Sequence, residues 1–268
     1  MDSVRISIIF EARTTLPPTL ERMLEALETF RSFAPTHWGP TERKRIVWSR
    51  AEVLQHVAQQ KSEWRVIDNR IELWRTKAPK LTGHASTSDA EVNELHLELS
   101  PAPTTEALRA LFETTSKVVA LLPTVLAYVS PVWALKNPVH GMTREQMMDL
   151  NAGGSTTEKQ LKKVGLTSVA ARTWFGPMLV ERLGESLLRQ LGAVDAREGR
   201  TLVLDVVAEP WLDLPRELAH GKSVAMKALR ATKMIAKRGK SDELTPGSAW
   251  TVPSWKRARE VVEAEEEQ

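Results

Sequence analysis

Six histidines, at positions 37, 56, 84, 96, 140 and 220, are the side chains of this chain best suited to hold a metal or pass a proton near neutral pH. No two stand at ligand spacing on one predicted element, so each reads more simply as a loop or surface residue. A pair such as His56 and His96 matters only if the tertiary fold brings it together. Carboxylates are plentiful and often close in sequence, as in EVNELHLEL at 91–99 and DVVAEPWLDLPRE at 205–217. General acid–base catalysis needs such groups facing one another across a pocket, whereas acids alternating along a strand simply wet one face. The patterns HExxH, GxSxG, GxxxxGK[ST] and GxGxxG do not occur. NAGGSTTEK at 151–159 lacks both the Lys-Ser/Thr ending and the leading buried strand of a phosphate loop, and reads as a connector. The expectation is a protein with no catalytic residues, no metal and no cofactor, and not an enzyme.

The unusual residue type is tryptophan, with nine beside one tyrosine and five phenylalanines. Trp48, Trp64 and Trp74 fall in patterned elements and are expected in the core, while Trp133 and Trp174 border Pro or Gly turns. Trp38 in THWGPT, Trp211 in EPWLDLPRE, and Trp250 and Trp255 in the Pro-containing tail are expected on loops. An aromatic side chain on a loop either folds back over the core or anchors a partner. Glu209, Asp213 and Glu217 surround Trp211 with acid, which makes this segment the best candidate contact patch; Trp38 is a further candidate.

The elements that must position these residues follow from periodicity. SVRISIIFEA at 3–12 predicts a strand with Ile6, Ile8 and Phe10 on one face. Leu20, Met23, Leu24, Leu27 and Phe30 recur at helical spacing and predict a helix from about Thr19 to Phe33. Ser49 and Glu52 have capping-box spacing, with Trp48 placed to close on Val53, so a helix starts there. WRVIDNRIELWR and EVNELHLELSP read as strands; in the latter, Leu95, Leu97 and Leu99 alternate with polar residues as on a half-wet antiparallel strand. The stretch between them, TKAPKLTGHASTSDA, reads as a loop from its Pro, Gly and Ser/Thr content. A helix follows Thr104, with Leu108, Leu111, Phe112, Thr115, Val118, Val119 and Leu122 on one stripe, ending before Pro123. TVLAYVSPVWAL reads as a buried strand interrupted at Pro131. Capping-box spacings at Thr143–Gln146 and Ser155–Glu158 predict short helices.

In the C-terminal half, LTSVAARTWFG predicts a short strand, with Gly176 and Pro177 supplying the cap and first turn of a helix through Leu179, Leu183, Leu187 and Leu191 that ends at Gly192. RTLVLDVVAEPW predicts a strand with Leu202, Leu204 and Val206 on one face, and SVAMKALRATKMIAKRGK from Ser223 predicts a helix or a mixture of strand and helix, broken at Gly239. The weakest division of the chain falls near Gly153, giving an N-terminal half 1–153 and a C-terminal half 154–268 with the Trp-containing tail, or one continuous domain. The fold class is α+β: a mixed, largely antiparallel sheet, or sheets, packed against amphipathic helices, with the option of two α/β halves.

Length and composition set the wider bounds. At 268 residues, with 42% apolar and 26% charged residues, the chain can bury a sizeable core without disulfides, and it has no cysteine. That composition fits a cytoplasmic protein. No stretch approaches the roughly 20 apolar residues of a membrane span, so no membrane association is expected. The net charge of +3 comes from 37 basic residues scattered among 34 acidic ones. The densest basic clusters, ERKR at 42–45 and AKRGK at 236–240, are brief and carry no interleaved aromatics. Direct nucleic-acid binding through Arg43, Lys44, Arg45, Lys237, Arg238 and Lys240 is therefore the lesser alternative.

RTWFGPMLVERLGESLLRQLG followed by GRTLVLDVVAEPW, together with the N-terminal VRISIIFEA and TLERMLEALETF, resembles the immunity protein 52 family, antidotes encoded beside polymorphic bacterial toxins. The resemblance lies in element order and turns over most of the chain. It implies an α/β protein without enzyme activity whose partner is a cognate protein toxin, a nuclease with a restriction-endonuclease-like fold. The toxin would be neutralised by occlusion of its active-site cleft. Glu209, Asp213 and Glu217 would then face basic residues of the toxin, with Trp211 as the apolar anchor.

Overall fold

The computed structural model describes residues 1–11, 16–29, 33–61, 70–86, 92–136, 139, 141–151, 156–196, 200–238 and 243–254. Trp64, His140, Gly153, Ser155, Gly239, Lys240 and Trp255 lie outside the described residues. The chain divides into two compact units, one built from Ile8–Thr124 and the other from Met1–Ser7 with Val125–Ser254.

The unit from Ile8 to Thr124 holds most of β1 (Ser3–Glu11), then α1 (Leu16–Thr29), β2 (His37–Thr41), β3 (Lys44–Val47), α2 (Arg50–Lys61), β4 (Arg70–Arg75), β5 (Lys80–Ser86), β6 (Val92–Ser100) and α3 (Thr105–Leu121). Val4, Ile6, Ile8 and Phe10 are buried on one face as the alternation predicts, but Ser7 and Ile9 on the opposite face are at 0% exposure too, so β1 is covered on both faces. α1 turns Leu20, Met23, Leu24 and Leu27 inward and packs against α2 and α3. The expected continuation through residues 30–32 lies outside the described residues. α2 begins where its cap predicts, with the Glu52 N–H donating to Ser49 Oγ, while Trp48 donates its indole N–H to Glu28 at 2.9 Å. α3 is capped by Thr104 and buries the predicted stripe.

Two loops of the sequence reading are strands. TKAPKLTGHASTSDA contains β5, which pairs antiparallel with β4 on one side and β6 on the other, Gly83 lying opposite both Leu73 and Leu97. Its inward residues Leu81, Gly83 and Ala85 are mostly small, so the apolar signal was weak beside the turn-forming residues. THWGPT forms β2, hairpinned to β3, where Trp38 pairs with Ile46 and Leu73. A Cβ at Gly39 would stand 1.7 Å from the Lys44 carbonyl oxygen, so the hairpin closes only over glycine.

The second unit holds β7 (Thr124–Val132) beyond its first residue, α4 (Arg144–Asn151), α5 (Glu158–Val164), β8 (Arg172–Phe175), α6 (Pro177–Leu183), α7 (Glu185–Gln190), β9 (Val194–Asp195), β10 (Leu202–Asp205), α8 (Pro215–Arg230), β11 (Lys237–Arg238) and β12 (Leu244–Thr245). β7 is buried along its length and continues through Pro131 instead of breaking there. The Thr143–Gln146 box forms reciprocally. The next box is Thr157–Gln160, two residues beyond the expected spacing. Gly176 caps α6 with Pro177 at its first turn, as expected, and Gly192 takes the left-handed conformation at φ +92°. Gly184, at φ +91°, splits the expected single helix into α6 and α7. β10 ends at Asp205, and α8 starts at Pro215 rather than Ser223, because Pro215 supplies a first-turn residue directly after a tight turn. α4 and α8 pack together.

The ten main strands are hydrogen-bonded in the order β3-β2-β4-β5-β6-β1-β7-β8-β10-β9, and β11 pairs with β12. With helices packed on this largely antiparallel sheet, the fold is α+β. No helix among the described residues is long and apolar enough to cross a membrane.

Candidate functional site

The segment after β10 builds the candidate site within the second unit. Glu209–Leu212 is a β-turn closed by the Leu212 N–H on the Glu209 carbonyl at 3.0 Å, with Pro210 buried at its second position and Trp211 at its third. Glu209 is exposed, Trp211 is half-buried, and Glu217 is exposed in the first turn of α8. Asp213 plays two parts. One oxygen accepts the Trp133 indole N–H at 2.8 Å and the other lies 3.4 Å from the terminal amine of Met1, yet its side chain remains 57% exposed.

β8 and β10 place a cation under this turn. Arg172 stands opposite Asp205 in the strand register, and its Nε and Nη2 each donate at 2.6 Å to the two Asp205 oxygens. Its guanidinium carbon lies 5.7 Å from the centroid of the buried Trp174 ring and 5.9 Å from that of Trp211. Local sequence pattern does not single out Arg172. Its only trace there is a charged residue at the start of one short apolar strand, RTWF, and an acid at the end of another, LVLD, which antiparallel pairing sets side by side.

Trp38 is not on this surface. It is 3% exposed on β2, its ring 5.5 Å from that of His56, so it is a core residue. Trp74, Trp133, Trp174 and Trp250 are also buried. Trp250 lies against Gly165, where a Cβ would meet its ring at 2.6 Å, and the Arg182 guanidinium carbon is 5.2 Å from its ring centroid.

Among the described histidines, His84 and His96 meet, directly opposed on β5 and β6 with ring centroids 5.5 Å apart. Burial, then the positive charge of Arg70 and the neighbouring His96, pushes His84 down to about 4. Burial and Lys44 also lower His56. No group of three or more His, Cys, Asp or Glu among the described residues could hold a metal ion. A shallow dimple with room for about one water, lined by Ser130, Trp133, Leu150, Ala171 and Lys222, is apolar apart from Ser130 and Lys222, and the Lys222 ammonium is engaged by the carbonyls of Asp149 and Leu150 at the end of α4. Of the basic clusters, Arg43 and Lys44 are exposed at the β2–β3 turn, Arg45 lies 5.1 Å over the Trp74 ring, and Lys237 is exposed on β11.

Fold and surface thus define an α+β protein with a half-buried tryptophan turn rimmed by acid. No protein-family model matches the chain, and no curated protein matches it in sequence. The resemblance to immunity protein 52 therefore rests on the quoted segments alone and assigns no family. Among solved structures, a Pseudomonas aeruginosa T6SS protein is similar over 93% of this chain and 80% of its own, with a TM-score of 0.53 and 13% identity. At that identity the likeness is one of fold.

Proposed function

We propose that this chain is an immunity protein that binds and neutralises a cognate bacterial toxin, acting by occupancy and not by turnover. The observation that carries this reading is the Glu209–Leu212 turn, which presents a half-buried indole among the exposed carboxylates of Glu209, Asp213 and Glu217. The fold shared with a T6SS protein supports a place in bacterial competition. A nuclease toxin fits the surface chemically, because it must offer a basic cleft to its substrate and acidic ligands to its metal. Acid on this protein would face the basic cleft and steer the encounter, while the indole excludes water from the contact. The net charge of +3 does not oppose this, because steering depends on the local field at the patch, and charges farther off than the Debye length of about 8 Å are largely screened at physiological salt.

The test is co-expression with the product of the reading frame upstream of its gene, scored for growth and for co-purification. Rescue together with a stoichiometric complex is the expected result. Toxicity unrelieved by the wild-type chain, with no complex, rejects the reading. Steeply salt-dependent binding of the isolated protein to DNA or RNA would instead favour the basic clusters.

A further inference from the structure

A β-turn sets the backbone of Trp211 but leaves its indole free to rotate about two side-chain bonds. The contacts around the ring remove that freedom. Arg172 reaches Trp211 at 5.9 Å from the side of the sheet, and Arg172 is itself immobilised by both Asp205 oxygens and by Trp174, which is 1% exposed. A guanidinium that spends its edge donors on one carboxylate still has a flat face for stacking, which an ammonium lacks. Contacts therefore run outward from a core indole through a clamped cation to a surface indole. Asp205 pairs with Arg172, and the carboxylates of Glu209, Asp213 and Glu217 remain exposed on the Trp211 segment, alongside the Met1 amine 3.4 Å from Asp213 and the exposed Arg216 next to Glu217.

We infer that Arg172 is a positioning residue that holds Trp211 as a ready-made anchor for a cationic surface of a protein partner, an inference that rests on the immunity reading above. An anchor already in its bound orientation loses little side-chain freedom on association, so its effect falls on the rate of dissociation. The three carboxylates act on the rate of association.

Two measurements test this. In the free protein, indole N–H resonances of ¹⁵N-tryptophan-labelled samples, with Trp211 assigned from Trp211→Phe, should show the Trp211 ring as ordered as that of Trp174 in the wild type and mobile in Arg172→Lys. Equal order in both proteins, or a mobile Trp211 in the wild type, overturns the positioning role whatever any partner does. Against the purified upstream-frame product, Trp211→Ala should weaken binding about 30-fold, and Arg172→Lys should speed dissociation about tenfold with association little changed. Glu209→Lys with Glu217→Lys should slow association and flatten its salt dependence. Wild-type binding with unchanged constants in all these variants sinks the anchor while leaving the immunity reading intact; absence of wild-type binding sinks that reading itself. Thermal melts of each variant separate loss of the anchor from loss of the fold.

Discussion

At the residue scale, His84 shows how neighbours decide what a side chain does. It lies on a sheet face directly across from His96 on one side and Glu72 on the other, with Arg70 two residues along β4 and Glu98 two along β6. Burial and two cationic neighbours disfavour its protonation, so its folded value near 4 lies below the 6.5 of the unfolded chain. The unfolded state then binds the extra proton first, and the stability His84 contributes is whole above pH 6.5 and is lost as the pH falls towards 4. Urea denaturation at pH 7.5 and pH 5 should reveal a drop on the order of 1 kcal/mol after allowance for solvent screening, and His84→Gln should shrink it. An equal drop in the variant would assign the pH dependence to other groups. Arg172 and Asp205 make a second case: with side chains 14% and 28% exposed, removing one partner strands the other. Asp205→Ala should therefore cost about 2 kcal/mol in chemical denaturation, against under about 1 kcal/mol for the exposed Arg109–Glu113 pair.

At the element scale, a strand is specified by both its neighbours, and its own side chains can say little. KLTGHAS offers one large apolar residue, a glycine and an alanine to the core, yet it pairs along its length with two strands. Gly83 is the reason β5 and β6 fit together: a Cβ there would lie 2.2 Å from the His96 carbonyl oxygen and 3.0 Å from the Leu97 Cα, backbone that cannot step aside. Gly83→Ala should destabilise by roughly 2 kcal/mol or more, read as a lowered urea midpoint. A midpoint within error of the wild type would mean the register is looser than described. The α3 helix is easier to read, because it carries a long amphipathic stripe, whereas the Pro215 start of α8 is hidden by the polar turn before it. At Gly184, two helices replace one because a residue at φ +91° cannot continue the helical path.

At the scale of the whole molecule, charge is the property that sequence averages conceal. The basic excess is small and dispersed, and in the cluster at 42–45 Arg43 and Lys44 sit exposed at a hairpin turn while Arg45 lies over the Trp74 ring. At 150 mM salt the protein should retain no duplex DNA in a filter or mobility assay; retention that disappears in Arg43→Glu with Lys44→Glu would reverse that expectation. In cells, the wild type should restore growth against its toxin, and Trp211→Ala combined with Glu209→Lys and Glu217→Lys should fail to do so at equal protein level. Rescue by the triple variant would place the interface elsewhere.

Period and capping are local properties, so the sequence alone was enough to specify an α+β chain, the β1 strand, the α3 stripe, the Thr104 and Thr143 caps, and the Gly176–Pro177 entry into α6. It also singled out the acid-flanked Trp211, because clustering along the chain is visible without a fold. Tertiary structure alone decided that Trp38 is core, that β5 exists, and that Arg172 meets Trp211. Trp38 pairs with Leu73 and Arg172 meets Trp211, each more than 30 positions along the chain, while β5 is fixed by pairing to β4 and β6 on its two sides; no pattern within a segment encodes which strand will supply the partner.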